Sequence, residues 1–566
     1  MFSPVKLIYL LLPGIVCGSL VPACFQGVEE PEFDSAAPAV SAKLALVDPA
    51  TLVPISNALT LADRTTQCQA DPRVTTGLVT VTNCVGADLF FRETFNGNGR
   101  TCGTCHPSSH NFILDPGFIA NLKAVNPNDP LFVAQNNPAL SQLEIENLLE
   151  SFALIRENPD GFQPPGTPLT KFVMRSVPHV FSLATSIKAD PADPNTTTPP
   201  SERTGWAGDG APFNDAQIAT ATGVNPTGAL LDFLDGAIRQ HYPKTLNRIP
   251  GTDFRFATTA ESADVSEFLH SIGRSNELTL TTLTLADAGA EQGRKLFAQQ
   301  ATPTGMPAGT VLVCNNCHAN AGATANKAGL FNDNFDTGVE NARIAALNTQ
   351  GIPTDGGFGT AVCPPSVGTN NCFGNGSFNP PPLIEAADTA PFFHTNAFTT
   401  IEQAITFYLS PSFQSSPVGQ LLANRNPPET IILSATEIAD LGRLLRVLNA
   451  SFNGQLGLRR LNAVLTILQN TATFDNVQGP LLTLARDELL DAISVLSAVS
   501  GLNTAAQTNL QSANTNIATA FNATTVAARV TAVQAAISLV NSANASFTAS
   551  GTPAIAFTVG AGTLLF

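Results

Sequence analysis

The sequence predicts a mainly α fold: two successive lobes with long loops, followed by a C-terminal helical bundle. Three observations predict it. Short runs with apolar residues at helical spacing recur between loops rich in Gly and Pro, which number 42 and 41 among 566 residues. One local order occurs twice: an apolar run containing Leu-Phe, a Gly-containing loop, then Cys-x-x-Cys-His. From about 455 the texture changes to four helical patterns with Ala/Asn/Thr-rich joints and no Cys, His, Trp or Tyr.

Composition narrows the function classes. The net charge of −16 and the absence of a basic stripe argue against nucleic acid, because no row of cations is present to displace phosphate counterions. Charged residues make up only 13%, which fits an ordered, loop-rich chain better than a coiled coil. The length allows about three to four domains of ~150 residues.

The elements follow in chain order. Residues 1–24 read as a secretory or lipoprotein signal: Lys6, then an apolar stretch from Leu7 to Val21, then Pro22-Ala23-Cys24. Two processing routes fit, cleavage after Ala23 or lipidation of Cys24. No later segment approaches 18 uninterrupted apolar residues. Residues 25–60, rich in Pro, Ala, Glu and Asp, read as a flexible tether. The first lobe spans 61–280, with helices expected over 87–95, 111–122, 142–155, 230–241 and 260–272. The second spans 281–450, with helices over 286–297, 401–409 and 435–449, the last opened by a Ser434…Glu437 capping box. The bundle, 455–566, has helices over 456–468, 481–499, 505–521 and 526–540. It ends in an apolar tail from Ala554 that reads as a docked strand or extended arm.

The chemistry lies in Cys102-Gly103-Thr104-Cys105-His106 and Cys314-Asn315-Asn316-Cys317-His318. Cys-x-x-Cys-His attaches c-type haem: the thiols add to the porphyrin vinyl groups and the histidine supplies the proximal iron ligand. With ten Cys and seven His, random placement gives about 0.002 such matches, so two are a strong signal. A zinc site would want a second close Cys/His pair, and a thioredoxin-like pair a βαβ context; the sequence offers neither. The remaining cysteines outside the leader form two local pairs, Cys68 with Cys84 and Cys363 with Cys372, read as disulfides of an oxidising compartment. The protein is therefore expected to be exported, periplasmic or anchored to the outer membrane of a bacterium.

Residues from about 85 to 450 resemble the bacterial di-haem cytochrome c peroxidase superfamily, which includes the di-haem enzyme that matures methylamine dehydrogenase. The resemblance rests on the two haem motifs and on the order of further stretches. These are Arg175-Ser176-Val177-Pro178, Trp206-Ala207-Gly208, Phe331-Asn332-Asp333-Asn334-Phe335, and Pro391-Phe392-Phe393-His394 leading to Thr400-Ile401-Glu402-Gln403-Ala404. It does not cover the C-terminal bundle. It implies two cytochrome c-type haem domains facing one interface, with Trp206 between the haems and a calcium ion between the domains. Where the peroxidases carry a methionine ligand to the second haem, this chain has Tyr408, as the maturation enzyme does; Met174 and Met306 do not lie on that helix. His394 falls beside the second haem. The family places a Gln and then a Glu near the reactive first haem. Gln217 stands near the first position, but no Glu occurs between Glu202 and Glu261. His241 is the leading substitute there, and His110, His179, Asp232 and Asp235 are further candidates.

The expected function is an exported di-haem oxidoreductase that takes electrons from a redox partner protein and reduces hydrogen peroxide, or a related oxidant, at the first haem. A pure electron-transfer cytochrome and an oxygen-activating di-haem enzyme are the alternatives.

Overall fold

The computed structural model describes residues 59–157, 172–191, 201–208, 219, 227–325, 331–358, 374–425, 429 and 431–564. The leader, the tether, Gln217 and the Cys363/Cys372 pair lie outside them. The fold is mainly α, with 54% helix against 5% strand.

The two lobes repeat one skeleton. Each begins with an entry helix, Val81–Arg92 in the first and Ala288–Phe297 in the second. Each then makes a single helical turn at the motif, Cys102–Cys105 and Cys314–Cys317. A middle helix follows, Leu230–His241 or Ile401–Phe407, and then a closing helix, Thr259–His270 or Ala435–Thr471. In both lobes the entry helix and the middle helix pack against the closing helix.

A glycine at the same place makes the entry–closing contact possible. The entry helices share Gly-x-x-Leu-Phe, at Gly86…Leu89-Phe90 and Gly293…Leu296-Phe297. A Cβ on Gly86 would lie 2.0 Å from the Asp264 carbonyl oxygen, and one on Gly293 would lie 2.2 Å from that of Asp440. Only glycine lets the two backbones approach so closely. The buried Leu and Phe three and four residues on then fill the space along the same contact.

The closing helix of the second lobe corrects the expected division at 450–455. Ala435–Thr471 is one helix of 37 residues, and its second half is the first helix of the bundle. The Asn- and Gly-containing stretch that reads as a joint is a set of tertiary contacts instead. Asn449 Oδ1 accepts from the Asp388 backbone N–H at 3.0 Å, Asn453 donates to Asp388 Oδ2 at 2.6 Å, and Gly454 makes room for Asn544. Polar helix residues with low propensity cost little when tertiary partners hold them. Ser434 and Glu437 form the expected capping box at the helix start. Helices Gln478–Ser497, Thr504–Phe521 and Val526–Ala545 complete the bundle. The last is long and apolar enough to cross a membrane by composition alone, and it packs here against Thr504–Phe521 and Ala435–Thr471.

Two further boundaries move. The helix expected over 142–155 is Glu146–Phe152; Ala153 turns left-handed and Leu154–Glu157 pairs antiparallel with Val173–Ser176. The helix expected from 111 begins at Pro116, because Asn111 and Phe112 are themselves left-handed. Cys68 and Cys84 form a disulfide, joining helix Leu61–Ala70 to the first entry helix.

Candidate functional site

Both Cys-x-x-Cys-His motifs open into one cavity of about 1100 Å3. A drug-sized ligand takes roughly 300–1,000 Å3, so the space exceeds what one such ligand needs. In each motif the helical turn closes with the histidine N–H on the first cysteine's carbonyl, at 2.9 Å in both. One turn sets the two cysteines on the same side, three residues apart. All four are free thiols. Burial raises Cys102 and Cys314 to about 11 and Cys105 to about 12, so these groups stay neutral in the polypeptide.

The two motif histidines are held identically. His106 Nδ1 lies 2.9 Å from the Phe112 carbonyl oxygen, and His318 Nδ1 lies 3.0 Å from that of Pro381. A carbonyl can only accept, so the proton sits on Nδ1 and Nε2 keeps its lone pair. In the first lobe the left-handed Asn111-Phe112 pair turns the chain back to bring that carbonyl into reach. Burial lowers both imidazoles to about 4, leaving them neutral. A neutral imidazole whose other nitrogen donates to a carbonyl is the form in which histidine binds a metal. The motif residues and the cavity therefore fit haem.

Two residues face the cavity from equivalent places. His241 is the last residue of the first middle helix, and Tyr408 follows the last residue of the second. Burial raises Tyr408 above the ordinary phenol range, and the Cys317 and Cys314 thiols reinforce the shift, which sets it beside the second motif. Burial drives His241 well below its ordinary range, with Arg100, Arg248 and His106 adding to the effect. Its Nδ1 is buried without a hydrogen-bond partner. The backbone around it is fixed nonetheless: Asn98 donates to the carbonyls of His241 and Pro243, and its N–H to that of Tyr242. Tyr242 also hydrogen-bonds Cys102 Sγ at 3.2 Å.

Trp206 and His394 line the same cavity where the lobes meet. The Trp206 indole N–H donates to the Ser176 carbonyl at 2.9 Å, and the Ser176 N–H donates to that of His394 at 2.7 Å. The His394 ring stacks on Phe378 at 4.1 Å and meets Trp206 edge-on at 6.5 Å. Burial lowers His394, and its Nε2 has no hydrogen-bond partner.

The other candidates behave differently. His179 lines the cavity, but its Nδ1 accepts from the Phe181 N–H at 3.3 Å, which leaves the proton on Nε2. It offers a donor there rather than a lone pair for iron. His110 pairs with Asp115 and stacks on Phe118, away from the cavity lining. Asp232 accepts from the N–H groups of Thr227 and Ala229 at the start of the middle helix, and Asp235 accepts from Ala257 N–H. Neither lines the cavity, and neither do Met174 and Met306.

For calcium, the observation is a pair of amides. Asn334 and Asn379 of the second lobe both abut Gly208 of the first, and Oδ1 of each is buried without a partner. These are the neutral oxygens a hard cation takes, though far fewer than the six to eight that calcium requires. Among the described residues no three His, Cys, Asp or Glu side chains gather as a metal group.

Sequence reading missed the glycine contacts and the Tyr242–Cys102 hydrogen bond. The repeated Gly-x-x-Leu-Phe was the available signal for the first; nothing in the sequence marks the second. No protein-family model, curated protein or solved structure matches the chain.

Proposed function

We propose that the protein is an exported di-haem c-type cytochrome with two cytochrome c-type domains, related to the di-haem peroxidases. It passes electrons from a donor protein between its haems and reduces hydrogen peroxide at the first. The observation that carries this reading is the identical preparation of two motif histidines, each neutral and tied through Nδ1 to a carbonyl, on one shared cavity. Bound haem supplies reversible one-electron chemistry, tuned by its axial ligands.

Peroxide takes up two electrons and two protons and leaves as two waters. The chain's part is to hold and move protons and to keep the path between sites short. His241, neutral and with a spare ring nitrogen, is the group that takes and returns a proton on the first side. Trp206, hydrogen-bonded to Ser176 and edge-on to His394, is the aromatic group that would carry electrons between the lobes. Tyr408 would hold the second haem through its phenol oxygen, and His394 would support it from the lobe interface.

The equivalence of His241 and Tyr408 favours one other reading. Were both to bind iron, each haem would be six-coordinate and the protein a pure electron-transfer cytochrome. The test is pyridine haemochrome together with ferric EPR of the exported protein. Two haems per chain and one high-spin centre are expected. Absence of haem overturns the whole reading. Two low-spin centres that bind neither cyanide nor carbon monoxide overturn the peroxidase and leave electron transfer.

A further inference from the structure

The tail after the bundle does not end at the bundle. It returns over the segment that joins the two lobes. Ala286 N–H donates to Phe547 O at 3.0 Å and Ala549 N–H to Thr284 O at 2.9 Å. Further along, Ser275 N–H donates to Thr558 O at 2.9 Å, Gly560 N–H to Gly273 O at 2.8 Å and Gly562 N–H to Ser271 O at 3.0 Å. The two segments pair as antiparallel bridges at Leu285–Thr548 and Arg274–Val559. The Asn276 side chain adds bonds to Thr558 N–H at 2.6 Å and to Ala556 O at 3.2 Å.

The tail is seated at both ends. Phe547 and Leu564 are fully buried. Arg460 of the bundle donates to Thr563 O at 3.0 Å, and Arg73 of the first lobe donates to Leu564 O at 3.0 Å. Gly560 and Gly562 meet Ser271 so closely that a Cβ would stand 2.2 Å from its carbonyl oxygen at Gly560 and 2.4 Å from its hydroxyl at Gly562. Beneath lies Arg274, wholly buried, bonded to Glu385 of the second lobe; Ser182 of the first bonds the same carboxylate.

We propose that residues 546–564 are a strap that locks the 271–286 linker between the two motif-bearing lobes, so that strap and linker open together rather than separately. The bundle's role is then to anchor the strap. Extended backbone with no strand neighbours of its own opens readily, whereas backbone paired on a partner opens only with that partner. Linker and strap therefore form one cooperative unit.

Amide hydrogen exchange on the full-length protein tests this, and it does not depend on haem content. In the unaltered chain, the amides of Ser275, Ala286, Ala549 and Gly560 should exchange with one common opening free energy. Gly560→Val, which drives a side chain into the Ser271 carbonyl, should speed exchange of Ser275 and Ala286 by roughly tenfold or more while the bundle helices keep their protection. Asn276→Ala, a milder change, should do the same to a smaller degree. Strap amides that exchange well ahead of the linker in the unaltered chain overturn the proposal, as does a linker unaffected by both variants. The haem reading fails separately, on haemochrome content.

Discussion

The two lobes share a skeleton and differ in the residue that the end of the middle helix brings to the cavity. Entry helix, motif turn, middle helix and closing helix recur in order, and the same glycine contact and the same Nδ1-to-carbonyl bond recur with them. At the end of the middle helix the first lobe presents His241 and the second Tyr408. The difference teaches that the shared geometry holds the two motif histidines alike, while the residue at the end of the middle helix differs between the lobes. On the proposed reading, an imidazole that moves protons would serve the first site and a phenol oxygen that favours oxidised iron the second, so one skeleton would give two unlike redox sites.

The skeleton itself is the first thing to break. Gly293→Ala and Gly86→Ala each push a methyl into a backbone carbonyl. Each should cost about 3 kcal/mol, at the upper end for overpacking. Gly293→Ala should do more damage, because its partner helix continues into the bundle whereas that of Gly86 ends at His270. Thermal unfolding followed by far-UV circular dichroism checks this. No loss in either variant would show that the close approach does not hold the helices, and a larger loss at Gly86 would show that the continuation into the bundle does not decide the ranking.

The opposite-side residues come next. On the proposed reading, Tyr408→Phe should alter the absorption and EPR of one haem and His241→Leu those of the other, with no cross-effect. His241→Leu should also lower peroxide turnover by about 10²-fold or more, the usual contribution of a general acid–base group. Two variants that perturb the same haem would refute the one-residue-per-lobe assignment.

Much of this was legible in the sequence. The two motifs, the middle helix Leu230–His241 and the Ser434–Glu437 cap all stand where residue type and spacing put them. What was not legible depended on partners remote in sequence. The helices expected over 435–449 and 456–468 are one, and the contacts of Asn449, Asn453 and Gly454 with Asp388 and Asn544 explain why the helix runs on between them. His110 and His179 read alike as single histidines. Their roles separate only through Asp115 in one case and the Phe181 N–H in the other.

The smallest expected effect is a pH response confined to the first lobe. His270 Nε2 lies 3.3 Å from Glu202 Oε1, and Glu202 also accepts from the Leu230 N–H, so the pair ties the Trp206-bearing loop to the closing and middle helices. The Glu202 hydrogen bond raises the His270 pKa, with Glu267 adding to it. Glu202 itself lies below its ordinary value: burial opposes this, but the His270 and Leu230 hydrogen bonds outweigh it. The raised histidine contributes fully below its unfolded value of about 6.5 and loses its contribution as pH rises through the folded one. The lowered carboxylate contributes above its unfolded value of about 4.3 and loses it as pH falls. The tie is thus strongest between about pH 4.3 and 6.5. Because His270 is about a third exposed, solvent screens the pair and the effect on global stability is small. Trp206 is the only tryptophan, so its fluorescence in haem-free protein reports the loop directly. Emission should shift to longer wavelength between pH 6 and 9, and His270→Gln should abolish the shift. A shift that survives the substitution would place the pH sensitivity elsewhere in the first lobe and leave the loop held by Leu230 alone.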